Sequence, residues 1–275
     1  MNIYVFGASG YVGKNLVMDI ESYTTVGRDK CDIVFDLHKN DPNELIKKIK
    51  ENSYFIFLAG ISSLDHCENN KVEATKINYI NTLKIIQGLS QKNCRILFSS
   101  TDAVFGAEEK KAFEYTNLNP KGHYAFLKAA VEKEISQISG VKIIRFSYIF
   151  GKGDKFTELI REFSNRNEVL EVYSGFKRNV VCINDVVEGI VSIIRHWDKI
   201  DARTFNFSGP DLVSREKIAS LFSKNEIKGF KYNVQNPDES FWYLRAESIE
   251  TDNYNFSKLL SNKPKNIKDM INEWR

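Results

Sequence analysis

Tyr124-Ala125-Phe126-Leu127-Lys128 sets a phenol and an amine four positions apart, and Ser99-Ser100-Thr101 supplies a row of hydroxyls earlier in the chain. On a helix, residues three and four apart share a face, so Tyr124, Lys128 and Val131 would stand on one side. A free phenol titrates near about 10, and a neighbouring cation favours its ionised form. Lys128 is therefore expected to bring Tyr124 towards neutrality, where the phenol can hand a proton to a carbonyl oxygen. Thr101 would hydrogen-bond the same oxygen and orient it. In a lysine-rich chain a Tyr/Lys pair at this spacing also arises as an ordinary surface pair. Here it follows a glycine-rich turn and the Ser-Ser-Thr run in an order that suits one site.

That turn is Gly7-Ala8-Ser9-Gly10-Tyr11-Val12-Gly13, lying between the apolar run Ile3 to Phe6 and a helical stretch. Glycines at this spacing let the chain turn tightly and let its backbone approach a pyrophosphate at a helix start. The plain alternative is a glycine-rich turn with no ligand. Read as a dinucleotide site, it makes Gly7, Ser9, Gly10, Tyr11, Val12 and Gly13 cofactor contacts. A nicotinamide would then supply the hydride that accompanies the proton from Tyr124. Gly27-Arg28-Asp29-Lys30 follows the second apolar run. Arginine can pair with a 2′-phosphate, which favours NADP(H), whereas Asp29 could accept from a ribose hydroxyl and keeps NAD(H) open. Asp36 and Leu37 fit the edge of an adenine ring, and Leu58-Ala59-Gly60 and Ser99 end later strands beside the cofactor.

Elements of two kinds must position these residues. Ile3 to Phe6, Thr24 to Gly27, Ile33 to Phe35, Phe55 to Leu58, Ile96 to Phe98, Ile143 to Phe146 and Thr204 to Phe207 read as strands. Several are apolar at consecutive positions, as strands covered on both faces are. Residues 13–20, 42–50, 66–90, 124–138 and 184–197 carry helical periodicity. Strands alternating with helices predict an α/β, doubly wound parallel sheet of the Rossmann kind. Residues 1–150 are expected to form its nucleotide-binding core, rejoined by 182–208. Residues 151–181 and 209–275 are expected to form a smaller substrate lobe.

Composition narrows the partners. The 39 basic and 36 acidic residues leave a net charge of +3 with no long run of one sign, so no nucleic-acid stripe is expected. The longest apolar runs, such as Tyr54 to Ala59, are strand-sized, far below the roughly 20 residues of a membrane span. Strand-forming residues begin at Ile3, which predicts no secretory leader and a cytoplasmic protein. Cys31, Cys67, Cys94 and Cys182 lack zinc-ligand spacing, so no metal site and four reduced thiols are expected.

Four stretches together resemble the extended short-chain dehydrogenase/reductase family, and within it the dTDP-4-dehydrorhamnose reductase branch. They are MNIYVFGASGYVG at the start, SLDHCENN at 63–70 with Asn78 after it, SSTDAVFG at 99–106, and the series Glu114, Pro120, Tyr124 and Lys128. The resemblance implies NAD(P)H-dependent reduction of a 4-keto sugar nucleotide, with Thr101, Tyr124 and Lys128 in the roles above. It adds Asn78 to the cofactor contacts, puts Lys128 on the nicotinamide ribose, and makes Ser62, Asp102, Tyr148 and Arg178 substrate-side candidates. Tyr148 would stack on sugar or base. Arg178 and Asn184-Asp185 resemble the wider epimerase/dehydratase family more than the reductases. A 4,6-dehydratase would carry a glutamate two positions after the threonine, where this chain has Ala103. An epimerase holding NAD, and a cofactor-binding regulatory subunit without catalysis, remain as alternatives, and a helix-mediated homodimer remains open.

Overall fold

The computed structural model describes residues 1–107, 110–225 and 230–273. The strands in chain order are β1 (Ile3–Phe6), β2 (Thr24–Gly27), β3 (Ile33–Val34), β4 (Tyr54–Phe57), β5 (Arg95–Thr101), β6 (Val141–Phe146), β7 (Ile149–Phe150), β8 (Val169–Tyr173), β9 (Lys177–Asn179), β10 (Val181–Cys182), β11 (Thr204–Phe207), β12 (Leu212–Ser214), β13 (Lys231–Gln235) and β14 (Ser248–Ile249). Seven of them form one parallel sheet in the order β11-β6-β5-β4-β1-β2-β3. This is the doubly wound α/β fold that the alternating pattern predicts.

Period-two alternation divides the sheet's apolar residues between two cores. Tyr4, Phe6, Phe55, Phe57, Ile96 and Phe98 face one layer, with Leu45, Ile85, Ile86, Leu89 and Val131 packed on them. Ile3, Val5, Ile56, Leu97 and Ile144 face the other, covered by Val186, Val187, Ile190, Ile193 and Ile194. Burial on both faces is why these strands read as unbroken apolar runs.

The covering helices are α1 (Tyr11–Leu16), α2 (Pro42–Lys48), α3 (Leu64–Asn69), α4 (Lys71–Thr75), α5 (Thr82–Gln91), α6 (Gly122–Ile135), α7 (Lys155–Asn165), α8 (Ile183–Arg195) and α9 (Arg215–Asn225). A third core gathers Phe150, Phe156, Ile160, Leu170, Val172, Ile218, Phe222 and Met270 away from the large sheet. The expected lobe range 209–275 includes 226–229 and 274–275, which lie outside the described residues. None of the described helices is long and apolar enough to cross a membrane.

The single helix expected over 66–90 is corrected. Asn70 leaves helical geometry at φ −128°, ψ 55°, separating α3 from α4, and a π-helical segment over Lys76–Asn81 intervenes before α5. Its wider turn carries Asn78 onto the loop after β4, and π segments of this kind collect at functional sites.

Candidate active site

The winding reverses between β1 and β4, and a cleft of about 600 Å³ opens there. It brings together Gly7, Ser9, Gly10, Arg28, Asp36, Leu37, Leu58, Ala59 and Gly60 from the sequence-derived set. Close approach explains the glycine spacing. A Cβ on Gly13 would sit 2.3 Å from the Gly7 carbonyl oxygen, and one on Gly7, at φ +93°, would sit 2.9 Å from the Ala59 nitrogen. The turn therefore leaves bare backbone facing the cleft, as a dinucleotide pyrophosphate requires, and the residues present fit such a group.

The remaining cofactor candidates are placed differently. Tyr11 and Val12 pack into the core beneath α1. The Tyr11 hydroxyl is buried without a hydrogen-bond partner among the described residues, and a Cβ on Gly151 would meet it at 2.8 Å. Asn78 spends both ends of its amide on Ile61, its oxygen accepting from the Ile61 N–H at 2.9 Å and its nitrogen donating to the Ile61 carbonyl at 2.9 Å. It thus clamps the loop that begins at Gly60. Arg28 is exposed at the rim. Sequence reasoning missed His38, Lys39, His66 and Glu73 on the cleft wall, where Glu73 takes His38 Nδ1 and His66 Nε2 at 3.1 Å each. No local pattern announces that cluster, because its members come from separate elements.

α6 carries Tyr124 and Lys128, and its start is tied to α3 and α4. The His123 N–H donates to Glu68 Oε2 at 3.0 Å, and the His123 ring bonds the Thr75 hydroxyl at 2.9 Å. Tyr124 packs in a small cluster with Cys67, Ala74 and Leu127. Its phenol lies beside the Thr101 hydroxyl. Thr101, at the end of β5, also accepts from the Ala103 N–H at 3.2 Å, which opens the short 3-10 turn Asp102–Phe105. Lys128 donates to the Ser99 carbonyl at 2.8 Å and lies 4.7 Å above the Phe98 ring. Its Nζ is 4.0 Å from where a Gly60 Cβ would stand, so it reaches the inner end of the cleft.

The expected lowering of the Tyr124 phenol is also corrected. Burial raises it, the neighbouring Cys67 and Asp102 add to the rise, and the adjacent Thr101 hydroxyl opposes. Lys128 points at Ser99 rather than at the phenol, and burial pulls its own ammonium down to about 8, against Glu132 and Cys67. Tyr124 is consequently a protonated phenol through the neutral range, the form a proton donor needs.

Asp102 and Arg178, both substrate-side candidates, meet each other. Arg178 Nε stands 3.7 Å from Asp102 Oδ2, which also accepts from the Ser147 hydroxyl at 2.8 Å. Arg178 further donates to the Lys177 and Ala246 carbonyls at 2.6 and 3.0 Å and stacks on Phe176 at 4.2 Å. Tyr148 gives its hydroxyl to Asp154 at 2.9 Å, and Ser62 lies exposed before α3. Beneath the site, Glu132 accepts from the Arg145 guanidinium at 2.7–3.2 Å and from Ser100. Glu132 did not stand out in the sequence, although it falls one turn after Lys128 on the same face. All four cysteines are free, and Cys67, Cys94 and Cys182 are buried.

Comparison with known proteins adds the lineage. A curated relative, the GDP-6-deoxy-D-talose 4-dehydrogenase of Aggregatibacter actinomycetemcomitans, is 21% identical over 212 residues, 70% of each chain. The fold is similar to that of a dTDP-4-dehydrorhamnose reductase from Bacillus anthracis in complex with NADP, at TM-score 0.82 and 20% identity over 99% of this chain and 98% of that one. It is similar as well to a UDP-glucuronic acid 4-epimerase from Bacillus cereus in complex with UDP-glucuronic acid and NAD, at TM-score 0.81 and 18% identity over 100% and 98%. The model of the RmlD substrate binding domain matches residues 1–239. The chain therefore belongs to that family, one of NAD(P)-dependent sugar-nucleotide oxidoreductases and epimerases, and is an enzyme of that kind.

Proposed function

We propose that this enzyme reduces a 4-keto sugar nucleotide to the hydroxy sugar, with NADPH preferred over NADH. The observation that carries the reading is the juxtaposition of Tyr124 on α6 with Thr101 at the end of β5, with Lys128 one helical turn deeper. A substrate carbonyl bridging the two hydroxyls would accept a hydrogen bond from each. Bound nicotinamide supplies the hydride. Tyr124 gives its proton to the carbonyl oxygen, Thr101 fixes that oxygen's position, and Lys128 holds the nicotinamide ribose from the inner end of the cleft. Ala103, in the position where a dehydratase would carry a glutamate, leaves an elimination without its base. Arg28 at the rim supports a 2′-phosphate, and Lys39 adds a second cation on the same wall.

The test is an assay of purified protein with NADPH and a panel of 4-keto sugar nucleotides. Stoichiometric oxidation of NADPH with formation of the hydroxy sugar is expected. Interconversion of two hydroxy epimers without net cofactor oxidation would replace the reading with an epimerase. Cofactor binding without turnover of any panel member would leave a regulatory subunit.

A further inference from the structure

Two loops form the banks of the cleft. One follows β3 and carries Asp36, Leu37 and His38, and the other follows β4 and carries Gly60 and Ile61. In the sheet order β4-β1-β2-β3 two strands lie between them, which sets the banks about 14 Å apart at the strand ends. As the cofactor site, the cleft takes adenosine on the β3 bank and the nicotinamide end on the β4 bank, where Lys128 reaches in. Resting on that placement of the cofactor, we propose that residues 73–81 are a brace across the cleft, in which Asn81 positions the adenosine half of the cofactor and Asn78 the nicotinamide half.

One segment grips both banks. Asn81 Nδ2 donates to the Leu37 carbonyl at 2.6 Å, and Asn78, three residues earlier, holds both backbone groups of Ile61. Both asparagines are buried, Asn78 at 2% exposure and Asn81 at 5%. On an α-helix, residues three apart lie on one face and would reach the same bank. The π turn over Lys76–Asn81 closes on the fifth residue rather than the fourth, which splays the two side chains towards opposite banks. The Thr82 hydroxyl donates to the Ile77 carbonyl at 2.9 Å and helps hold that wide turn. Nearer the surface the grip is repeated, because Glu73 takes His38 from the β3 bank and His66 from α3, each at 3.1 Å.

The β3 loop already fixes its own shape. The Asp36 N–H donates to Asn40 Oδ1 at 2.7 Å, and the His38 N–H donates to Asp36 Oδ1 at 2.8 Å. What Asn81 adds is the position of that loop relative to the opposite bank. A loop released from such a hold must be ordered by the ligand that lands on it, and the ordering cost weakens binding. Removing Asn81 therefore frees the adenosine bank, whereas removing Asn78 frees the other.

The experiment is calorimetric titration of wild type, Asn81→Ala and Asn78→Ala with NADPH and NADH, and with adenosine 2′,5′-bisphosphate and ADP. The last two carry the adenosine half with and without its 2′-phosphate. Of each pair, the ligand that wild type binds more tightly is followed. Asn81→Ala is expected to weaken the fragment and the whole cofactor by the same factor, about tenfold. Asn78→Ala should leave the fragment within about threefold of wild type and remove most of the advantage that the whole cofactor has over the fragment. Residues that only stabilise the fold would loosen both halves alike.

Fragment affinity unchanged in Asn81→Ala, or the same pattern of losses in both variants, would overturn the brace and leave the cofactor site intact. A wild type that binds none of the four ligands overturns both. If either variant loses its fold by circular dichroism, Glu73→Gln decides, since it alters only the half-buried tier of the grip. Its fragment affinity should fall at least about threefold with the urea midpoint unchanged, and wild-type affinity rejects the brace.

Discussion

Tyr124→Phe separates chemistry from architecture most cleanly. The change deletes one oxygen and keeps the ring packed in its cluster with Cys67, Ala74 and Leu127. Loss of one hydroxyl interaction costs at most about 1 kcal/mol, which in a chain of this size moves the melting temperature by no more than about 2–4 °C. Proton donation contributes about 10²–10⁴-fold to such a reaction, or roughly 3–5 kcal/mol of transition-state stabilisation. Turnover of the 4-keto sugar nucleotide should fall by that factor, while the NADPH dissociation constant stays within about threefold. Burial holds the wild-type phenol above its ordinary value, so its donor form persists throughout the neutral range. The first-turnover rate should therefore be flat from about pH 6 to about pH 9 and decline only beyond about pH 10. Stopped-flow oxidation of NADPH, with calorimetric binding as the control, measures both quantities. A Phe variant that turns over within about threefold of wild type would refute the assignment of Tyr124 as proton donor.

Arg28→Ala should weaken NADPH binding by about ten- to a hundredfold through loss of a charge-assisted pair, with NADH binding unchanged, as calorimetry with both cofactors would read. Equal NADPH binding would remove Arg28 from the site. Gly13→Ala drives a methyl to 2.3 Å from the Gly7 carbonyl oxygen, so α1 must shift; cofactor binding should be lost from a protein destabilised by about 1–3 kcal/mol in urea unfolding. Lys128 has a folded-state ammonium pulled down to about 8, so the unfolded chain binds the proton more tightly between there and its ordinary value. Stability of wild type relative to Lys128→Met should accordingly rise with pH from about 8 to about 10, and a flat difference in denaturant midpoints across that window would contradict the burial of the charge.

The sequence by itself determined whatever depends on near neighbours along the chain. The strand runs were legible because both faces of β1, β4 and β5 are covered, which demands consecutive apolar residues. The glycine turn was legible because Gly13 and Gly7 must touch within one strand-to-helix corner, and the Tyr124/Lys128 register because α6 repeats every 3.6 residues. Only the tertiary structure decided what depends on distant partners. Asn70 and the π turn interrupt the expected long helix where Asn78 engages the Ile61 backbone, a gain that helical periodicity cannot encode. Asp102 meets Arg178 across elements remote in sequence, and Glu132 on α6 meets Arg145 on the strand that follows it only because the helix packs back onto the sheet. The phenol of Tyr124 moves opposite to expectation for the same reason. Proximity in sequence suggested that a cation would lower it, but an ionisation is set by burial and by where each charge points, and Lys128 points to Ser99 while Tyr124 packs against Cys67, Ala74 and Leu127.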